Sequence, residues 1–192
     1  VILADSADNP TGGGVGDRAD VLRAVLARNF GNVLFAGITD WPAVDACFAA
    51  GEGATVSLTI GGSLDPASLP VHLEAEVLFL DDPGIKAERQ AVVRSGAVTV
   101  VLAARRRPYH NLADFARLGL DPRHVALLVV KSGYLSPELA PIANPNLMAL
   151  TAGVVSQDIE SLSSDRRARP IFPFDHNFDY QPQAVFSARW QA

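Results

Sequence analysis

The segment best equipped for chemistry lies directly after the first four residues. Residues 1–4 form a short apolar run typical of a strand, followed by Asp5-Ser6-Ala7-Asp8-Asn9-Pro10-Thr11-Gly12-Gly13-Gly14-Val15-Gly16-Asp17. We call residues 5–17 the glycine loop. The carboxylates of Asp5 and Asp8 lie at the predicted end of the strand, where they could accept hydrogen bonds, bind a cation or transfer a proton.

The composition of the glycine loop predicts a backbone that a ligand can approach. Pro10 biases Asn9 toward an extended conformation. The three consecutive glycines, Gly12, Gly13 and Gly14, permit positive φ angles and leave room for close contact with a ligand. Backbone N–H groups of the loop are therefore expected to face that ligand.

A helix predicted at residues 19–30 would add its positive N-terminal end, with Asp17 or Asp20 as the capping residue. Such a site suits a carboxylate, a phosphate or an oxyanion. The alternative interpretation is a tight connection that contains two turn-forming aspartates. The nucleotide-binding patterns G-x-x-x-x-G-K-S/T and G-x-G-x-x-G are absent from this segment.

A second candidate group, Lys131 and Ser132, follows the continuous apolar run at residues 125–130, which predicts a strand covered on both faces. In an open α/β sheet, ligands bind at the carboxyl ends of the strands. Lys131 is therefore expected to face the glycine loop and to neutralise a substrate carboxylate or an oxyanion. The alternative is an ion pair with Asp5 or Asp8 that only holds two loops together.

Other reactive residue types form no recognisable site. The four histidines are scattered, and neither H-E-x-x-H nor G-x-S-x-G occurs. The single cysteine, Cys47, excludes a disulfide within one chain and is predicted to be a buried thiol. We interpret the runs Arg105-Arg106-Arg107 and Arg166-Arg167 as solvated edges. No residue is assigned as a catalytic group or a metal ligand.

The composition indicates which classes of protein this chain can belong to. The chain has 192 residues, 48% of them hydrophobic and 19% charged, with a formal net charge of −5. These values predict an ordinary globular domain and argue against a nucleic-acid partner. The sequence has no apolar run of about 18 residues and no signal segment, so we expect no membrane partner and a cytoplasmic location.

The order of elements predicts the fold. Helices are expected at residues 19–30, 41–50 and 112–118, and strands at residues 1–4, 32–38, 55–60, 71–80, 97–103, 125–130 and 146–151. This alternation predicts a single α/β domain with a mixed, largely parallel sheet and helices packed on it. The loops after Leu3, Ile60 and Val130 should meet at one edge. The proline-rich, aromatic residues 165–192 are expected to form an extended tail.

The pattern D-S-A-D-N-P-x-G-G-G-x-G-D at residues 5–17 resembles the opening of the C-terminal domain of the MlrC family, the microcystinase C-like M81 metallopeptidases. Further segments agree in the same order and extend the resemblance over nearly the whole chain: A-A-G-E-G-A-T-V at 49–56, G-G at 61–62, K-S at 131–132, A-P-I-A at 140–143, T-A-G-V at 151–154 and R-P-I-F-P-F-D at 169–175.

The resemblance implies a zinc-dependent peptidase that hydrolyses amide bonds of small linear or modified peptides. It places the metal ligands in an N-terminal domain that this chain lacks, and the start at Val1 inside a strand agrees with a segment of a longer polypeptide. No zinc and no activity are then expected of this chain alone. Its partners would be that N-terminal domain and a small peptide, and a homo-oligomer is left open.

In that setting the chain would complete the substrate cleft with the acids, amide, glycines, lysine and serine named above: Asp5, Asp8, Asn9, Gly12, Gly13, Gly14, Asp17, Lys131 and Ser132. After Lys-Ser, the family commonly has His-Phe and an arginine, whereas this chain has Gly133-Tyr134-Leu135. Any substrate role of the family's side chains at these positions is therefore left open. The alternative from a different class is a non-catalytic module that binds an anion or serves as an interaction platform.

Overall fold

A computed structural model describes residues 1–163, 165–187 and 189 of the chain. The chain divides into two units, Val1–Gln157 and Asp158–Ala192. The larger unit carries all the strands and α-helices of the described residues. The described residues of the smaller unit form turns, irregular segments and a short 3-10 segment, Ile159–Ser161.

One mixed sheet forms the larger unit. Its strands are β1 (Ile2–Asp5), β2 (Val33–Thr39), β3 (Thr55–Ile60), β4 (Val71–Asp81), β5 (Gln90–Ser95), β6 (Val98–Ala103), β7 (Leu127–Lys131) and β8 (Asn146–Ala149). They lie in the order β3-β4-β5-β6-β2-β7-β1-β8. Neighbours are parallel from β6 through β8 and antiparallel from β3 through β6. The parallel strands therefore all end at one edge, which we call the carboxyl edge.

Three helices cover the sheet: α1 (Asp20–Arg28), α2 (Trp41–Ala50) and α3 (Leu112–Ala116). The central strand β2 is buried along its whole length because successive side chains enter two separate cores. Phe35 packs in the core that includes α1 and α2, and Leu34 packs in the core that includes Phe115 of α3. Cys47 is buried as predicted, and burial raises the pKa of its thiol to about 11.

The predicted fold class, an α/β domain with a mixed, largely parallel sheet and packed helices, is confirmed. Helix α2 and strand β3 have the predicted bounds. Strand β5 was not predicted. The expected capping of α1 by Asp17 or Asp20 is wrong, because Ala19 occupies the cap position without a side-chain hydrogen bond.

Within the smaller unit, Asp175 pairs with Arg169 and accepts a hydrogen bond from the Ile171 N–H at 2.7 Å. The Arg167 guanidinium lies 4.2 Å from the centre of the Phe174 ring. Of the predicted tail at residues 165–192, residues 188 and 190–192 lie outside the described residues. Within the part of the chain that the structure describes, no helix has the length and apolarity needed to span a membrane.

Candidate functional site

The strand register brings the two candidate groups together at the carboxyl edge. Asp5 is the last residue of β1, and it lies opposite Lys131 of β7 on one side and Ala149 of β8 on the other. The glycine loop starts at this point and covers the ends of these strands. The side chains of Asp5 and Lys131 therefore meet beneath the loop rather than on its outer surface.

Lys131 forms a buried network with two aspartates. Its Nζ lies 2.9 Å from Asp5 Oδ2, 3.0 Å from Asp8 Oδ2 and 2.8 Å from the Arg18 carbonyl oxygen. An ammonium group has three N–H donors, so these acceptors use all of them. We call Asp5, Asp8 and Lys131 the acid–lysine network. This geometry matches the alternative interpretation, an ion pair that holds two loops together.

The aspartates of the network have further hydrogen-bond partners. Asp8 accepts hydrogen bonds from the Gly16 and Arg18 N–H groups, both at 2.8 Å, and Asp5 accepts one from the Thr151 hydroxyl. All three members of the network are almost completely buried, with Lys131 only 3% exposed. The network therefore joins the chain segments that follow β1, β7 and β8, and it supports the glycine loop from below.

Backbone N–H groups of the glycine loop turn inward. The Asn9 carbonyl oxygen accepts hydrogen bonds from Gly12 N–H at 3.1 Å and from Gly14 N–H at 2.9 Å. The Asn9 side-chain oxygen accepts from the N–H and the hydroxyl of Thr11. The expectation that these N–H groups face a ligand is therefore wrong for Thr11, Gly12, Gly14 and Gly16. What the loop exposes is its tip, Thr11, Gly12 and Gly13.

Asp17 fastens the loop after β3 to the glycine loop. Its Oδ2 accepts hydrogen bonds from Leu64 N–H at 2.6 Å and Asp65 N–H at 2.9 Å, and its carbonyl oxygen accepts one from Gly62 N–H. The side chain is completely buried, and its Oδ1 has no hydrogen-bond partner among the described residues. In the structure, Asp17 therefore connects the glycine loop to the loop after β3 and does not cap α1 as predicted.

A further aspartate, Asp40, completes this edge and was not among the predicted site residues. It follows β2, caps α2 by accepting from Ala43 N–H at 3.0 Å, and accepts from Gly61 N–H at 2.8 Å. Burial, with a smaller contribution from nearby Asp17, raises the pKa of its carboxyl group above the usual range. Its contact with Gly61 joins residues 21 positions apart, so no local sequence pattern indicates it.

We expect Asp40 to titrate above the ordinary aspartate range. The stability that it contributes is fully present below the pKa of the unfolded chain and is lost as the pH rises through the raised folded-state pKa. Carbon-detected NMR of the side-chain carboxyl groups measures this directly. Asp65 is the internal control, because the Ala67 N–H and then Arg18 lower its pKa; an Asp40 midpoint at or below that of Asp65 would contradict the expectation.

The segment after β7 lies beside Asn9. Ser132 donates its N–H to the Asp5 carbonyl oxygen at 3.1 Å and its hydroxyl to the Tyr134 carbonyl oxygen, and its side chain is buried. A Cβ atom at Gly133 would lie 3.2 Å from Asn9 Nδ2. Leu135 enters the core, whereas Tyr134 is 78% exposed. Among the residues that depart from the family pattern, Tyr134 is therefore the one presented to solvent.

The described residues do not fit a zinc site. They contain no group of three histidine, cysteine, aspartate or glutamate side chains that could hold a metal ion. The oxygens of Asp5 and Asp8 already accept hydrogen bonds from N–H and O–H donors, which a bound cation would have to displace. We therefore derive no chemical step of this chain through a metal.

Comparison with known proteins agrees with this architecture. Microcystinase C from Sphingomonas sp is 29% identical over 185 residues, which cover 91% of this chain and 36% of that protein. A crystal structure of a protein described as a candidate metallopeptidase from Mesorhizobium sp. BNC1 superposes with a TM-score of 0.74 at 23% identity, over 93% of this chain and 38% of that one. At that identity the likeness shows a shared fold, and this chain spans little more than a third of either relative.

The family described as MlrC C-terminus matches residues 3–166. This range contains the glycine loop, the acid–lysine network and all eight strands of the sheet except Ile2, the first residue of β1. Because the match extends over most of the sequence, the chain belongs to the MlrC C-terminal family.

Proposed function

We propose that this chain is the C-terminal part of a zinc-dependent peptidase that hydrolyses an amide bond of small linear or modified peptides. In this proposal it forms one wall of the substrate cleft, and the zinc ligands belong to an N-terminal domain of the same polypeptide. The family match supports the proposal, as do the names of the two relatives and their greater length.

The observation that carries the proposal is the exposed tip of the glycine loop, held at the carboxyl edge by the buried acid–lysine network. Open α/β folds bind ligands at this edge. Because the network already holds the tip in place, the loop loses little conformational entropy when a ligand binds to it. The proposed roles therefore divide: the exposed tip, Thr11, Gly12 and Gly13, lies along the substrate. The buried residues Asp5, Asp8, Asn9, Asp17, Lys131 and Ser132 hold the wall in place.

The alternative of a simple anion-binding module is less consistent with the geometry. An anion cradle needs outward-facing N–H groups, but those of Gly12, Gly14 and Gly16 donate to Asn9 and Asp8. Lys131 is also buried and fully bonded. Within the described part of the chain, no specific contact supports a function in which the loop alone recognises an anion.

The zinc content and the peptidase activity of two polypeptides test the proposal. After exhaustive dialysis, this chain alone should hold no stoichiometric zinc and should not cleave short linear peptides. The polypeptide that includes an N-terminal domain should hold zinc and cleave them. Stoichiometric zinc on this chain would contradict the division of roles, and a zinc-loaded longer polypeptide without amide hydrolysis would contradict the peptidase function.

A further inference from the structure

The arginine run at residues 105–107 lies at the carboxyl edge, on the segment that follows β6. Its three side chains have different partners. Arg105 pairs with Glu88 at 2.6 Å and Arg107 pairs with Asp114 at 3.2 Å. Arg106 instead reaches the glycine loop, where its Nη1 donates to the Gly14 carbonyl oxygen at 3.4 Å. This bond is long, so it engages the guanidinium only weakly.

Arg106 is one of two arginines of the larger unit, with Arg28, for which the described residues provide no carboxylate partner. Ion pairs with aspartate or glutamate hold the remaining arginines, apart from Arg28, within the described part of the chain: Arg18, Arg23, Arg89, Arg94, Arg105, Arg107, Arg117 and Arg123. Arg28 donates to the Ala24 carbonyl oxygen inside α1. Among the described residues, Arg106 is thus the arginine at the carboxyl edge whose charge is not neutralised by a neighbour.

Arg106 can take the role that the sequence predicted for Lys131, the neutralisation of a substrate carboxylate. Lys131 is buried, and its three donors are used by Asp5, Asp8 and Arg18. Arg106 is exposed, and its guanidinium contacts the carbonyl oxygen of Gly14, the residue that follows the exposed tip. Its planar guanidinium can bind a carboxylate through two parallel hydrogen bonds, a geometry that a lysine cannot offer.

We propose that Arg106 is a specificity-determining residue that binds a carboxylate group of the peptide substrate beside the tip of the glycine loop. This inference rests on the proposed peptidase function, since it names the kind of peptide that the cleft accepts. A carboxylate fits better than a phosphate, because Glu88 and Asp114 neutralise the two flanking arginines and leave the site with a single positive charge.

A binding experiment on this chain tests the contact without any need for catalysis. The probes are acetyl-dialanine with a free C-terminal carboxylate and its C-terminal amide, and the readout is the Nε–Hε signal of Arg106 in ¹⁵N NMR spectra. The acid should shift this signal and the amide should not. Arg94 is the matched reference, because it is an exposed arginine paired with Glu76 at the opposite edge of the sheet. Equal shifts at Arg94 and Arg106, or no shift at Arg106, would overturn the proposal.

Kinetics on the zinc-loaded longer polypeptide provide the second test. Arg106→Gln should raise KM for peptides with the free carboxylate by roughly 10- to 100-fold, as expected for a lost charge-assisted hydrogen bond, with little change in kcat. KM for amidated peptides should be unchanged, and Arg106→Lys should restore part of the loss. The control Arg94→Gln should behave like the wild type. An equal effect of Arg106→Gln on both kinds of peptide would overturn the assignment.

The two proposals fail in different ways. A longer polypeptide that cleaves no peptide refutes the peptidase function, yet a selective shift of Arg106 by the free carboxylate would still support the binding site. Conversely, active enzyme with an unchanged preference in Arg106→Gln refutes the role of Arg106 and leaves the peptidase function intact. Urea unfolding of each variant verifies that the exposed substitution leaves the fold unchanged.

Discussion

Replacement of Lys131 by methionine should lower the free energy of unfolding by about 3–5 kcal/mol, the usual cost of leaving a buried charge without its partner. Methionine matches the apolar stem of lysine, but the Asp5 and Asp8 carboxylates lose the ammonium group that lies 2.9 Å and 3.0 Å away. The Arg18 carbonyl oxygen loses a donor as well. Urea unfolding monitored by circular dichroism gives the difference directly.

Lys86→Met is the matched control for this prediction. Lys86 lies on the surface in a short 3-10 turn, and its replacement should change the unfolding free energy by less than about 0.5 kcal/mol. In the Lys131→Met background, Asp5→Asn should recover part of the loss, because it removes one of the two uncompensated charges. A loss below about 1 kcal/mol for Lys131→Met would show that the network does not hold the edge together.

Gly14→Ala should destabilise the protein by about 1–3 kcal/mol, as overpacking does in a tight site, and should impair peptide cleavage by the longer polypeptide. A Cβ atom at Gly14 would lie 2.6 Å from the Asp8 carbonyl carbon and 2.8 Å from the Asn9 nitrogen. Both are backbone atoms, so the loop itself must move. Amide hydrogen exchange at Gly16 and Arg18, whose N–H groups donate to Asp8, should accelerate in the variant.

The comparison for this variant is Gly31→Ala. A Cβ atom at Gly31 would have no neighbour within 4 Å, and Gly31 does not have a positive φ. This replacement should be neutral or slightly stabilising, because alanine restricts the unfolded chain. If Gly14→Ala unfolded at the same urea concentration as Gly31→Ala, the close contact between the two arms of the loop would not be the reason for a glycine at position 14.

Local sequence signals were sufficient for much of the fold. Helix α2 has its predicted bounds because Asp40, Pro42 and Gly51 mark its two ends with known capping chemistry. Strand β5 was missed because its apolar run, Ala91–Val93, is short and lies between polar residues. Gln90, at its start, is only 1% exposed and is satisfied by Tyr109 and Asp81. Those partners are distant in sequence, so no local pattern could indicate a buried glutamine.

The sequence likewise predicted some features of the candidate site and not others. The proximity of Asp5 and Lys131 followed from a general rule about the carboxyl ends of parallel strands. The same rule could not show which of their donors and acceptors stay available for a ligand. Those are determined by two further partners, the Arg18 carbonyl oxygen and the Thr151 hydroxyl, which belong to other segments of the chain. For Arg106 the run of three arginines suggested only a charged surface, and the pairing of its neighbours with Glu88 and Asp114 set it apart.

The sheet order has a consequence for the way the protein folds. Strand β1 is made first, yet its neighbours in the sheet are β7 and β8, and the contact between Asp5 and Lys131 joins residues 126 positions apart. Closing so long a loop carries a large entropy cost and slows folding. During synthesis on the ribosome, Asp5 and Asp8 therefore stay solvated until β7 and β8 have been made. We expect the loop to acquire its native shape late, after the β2–β6 part of the sheet has formed.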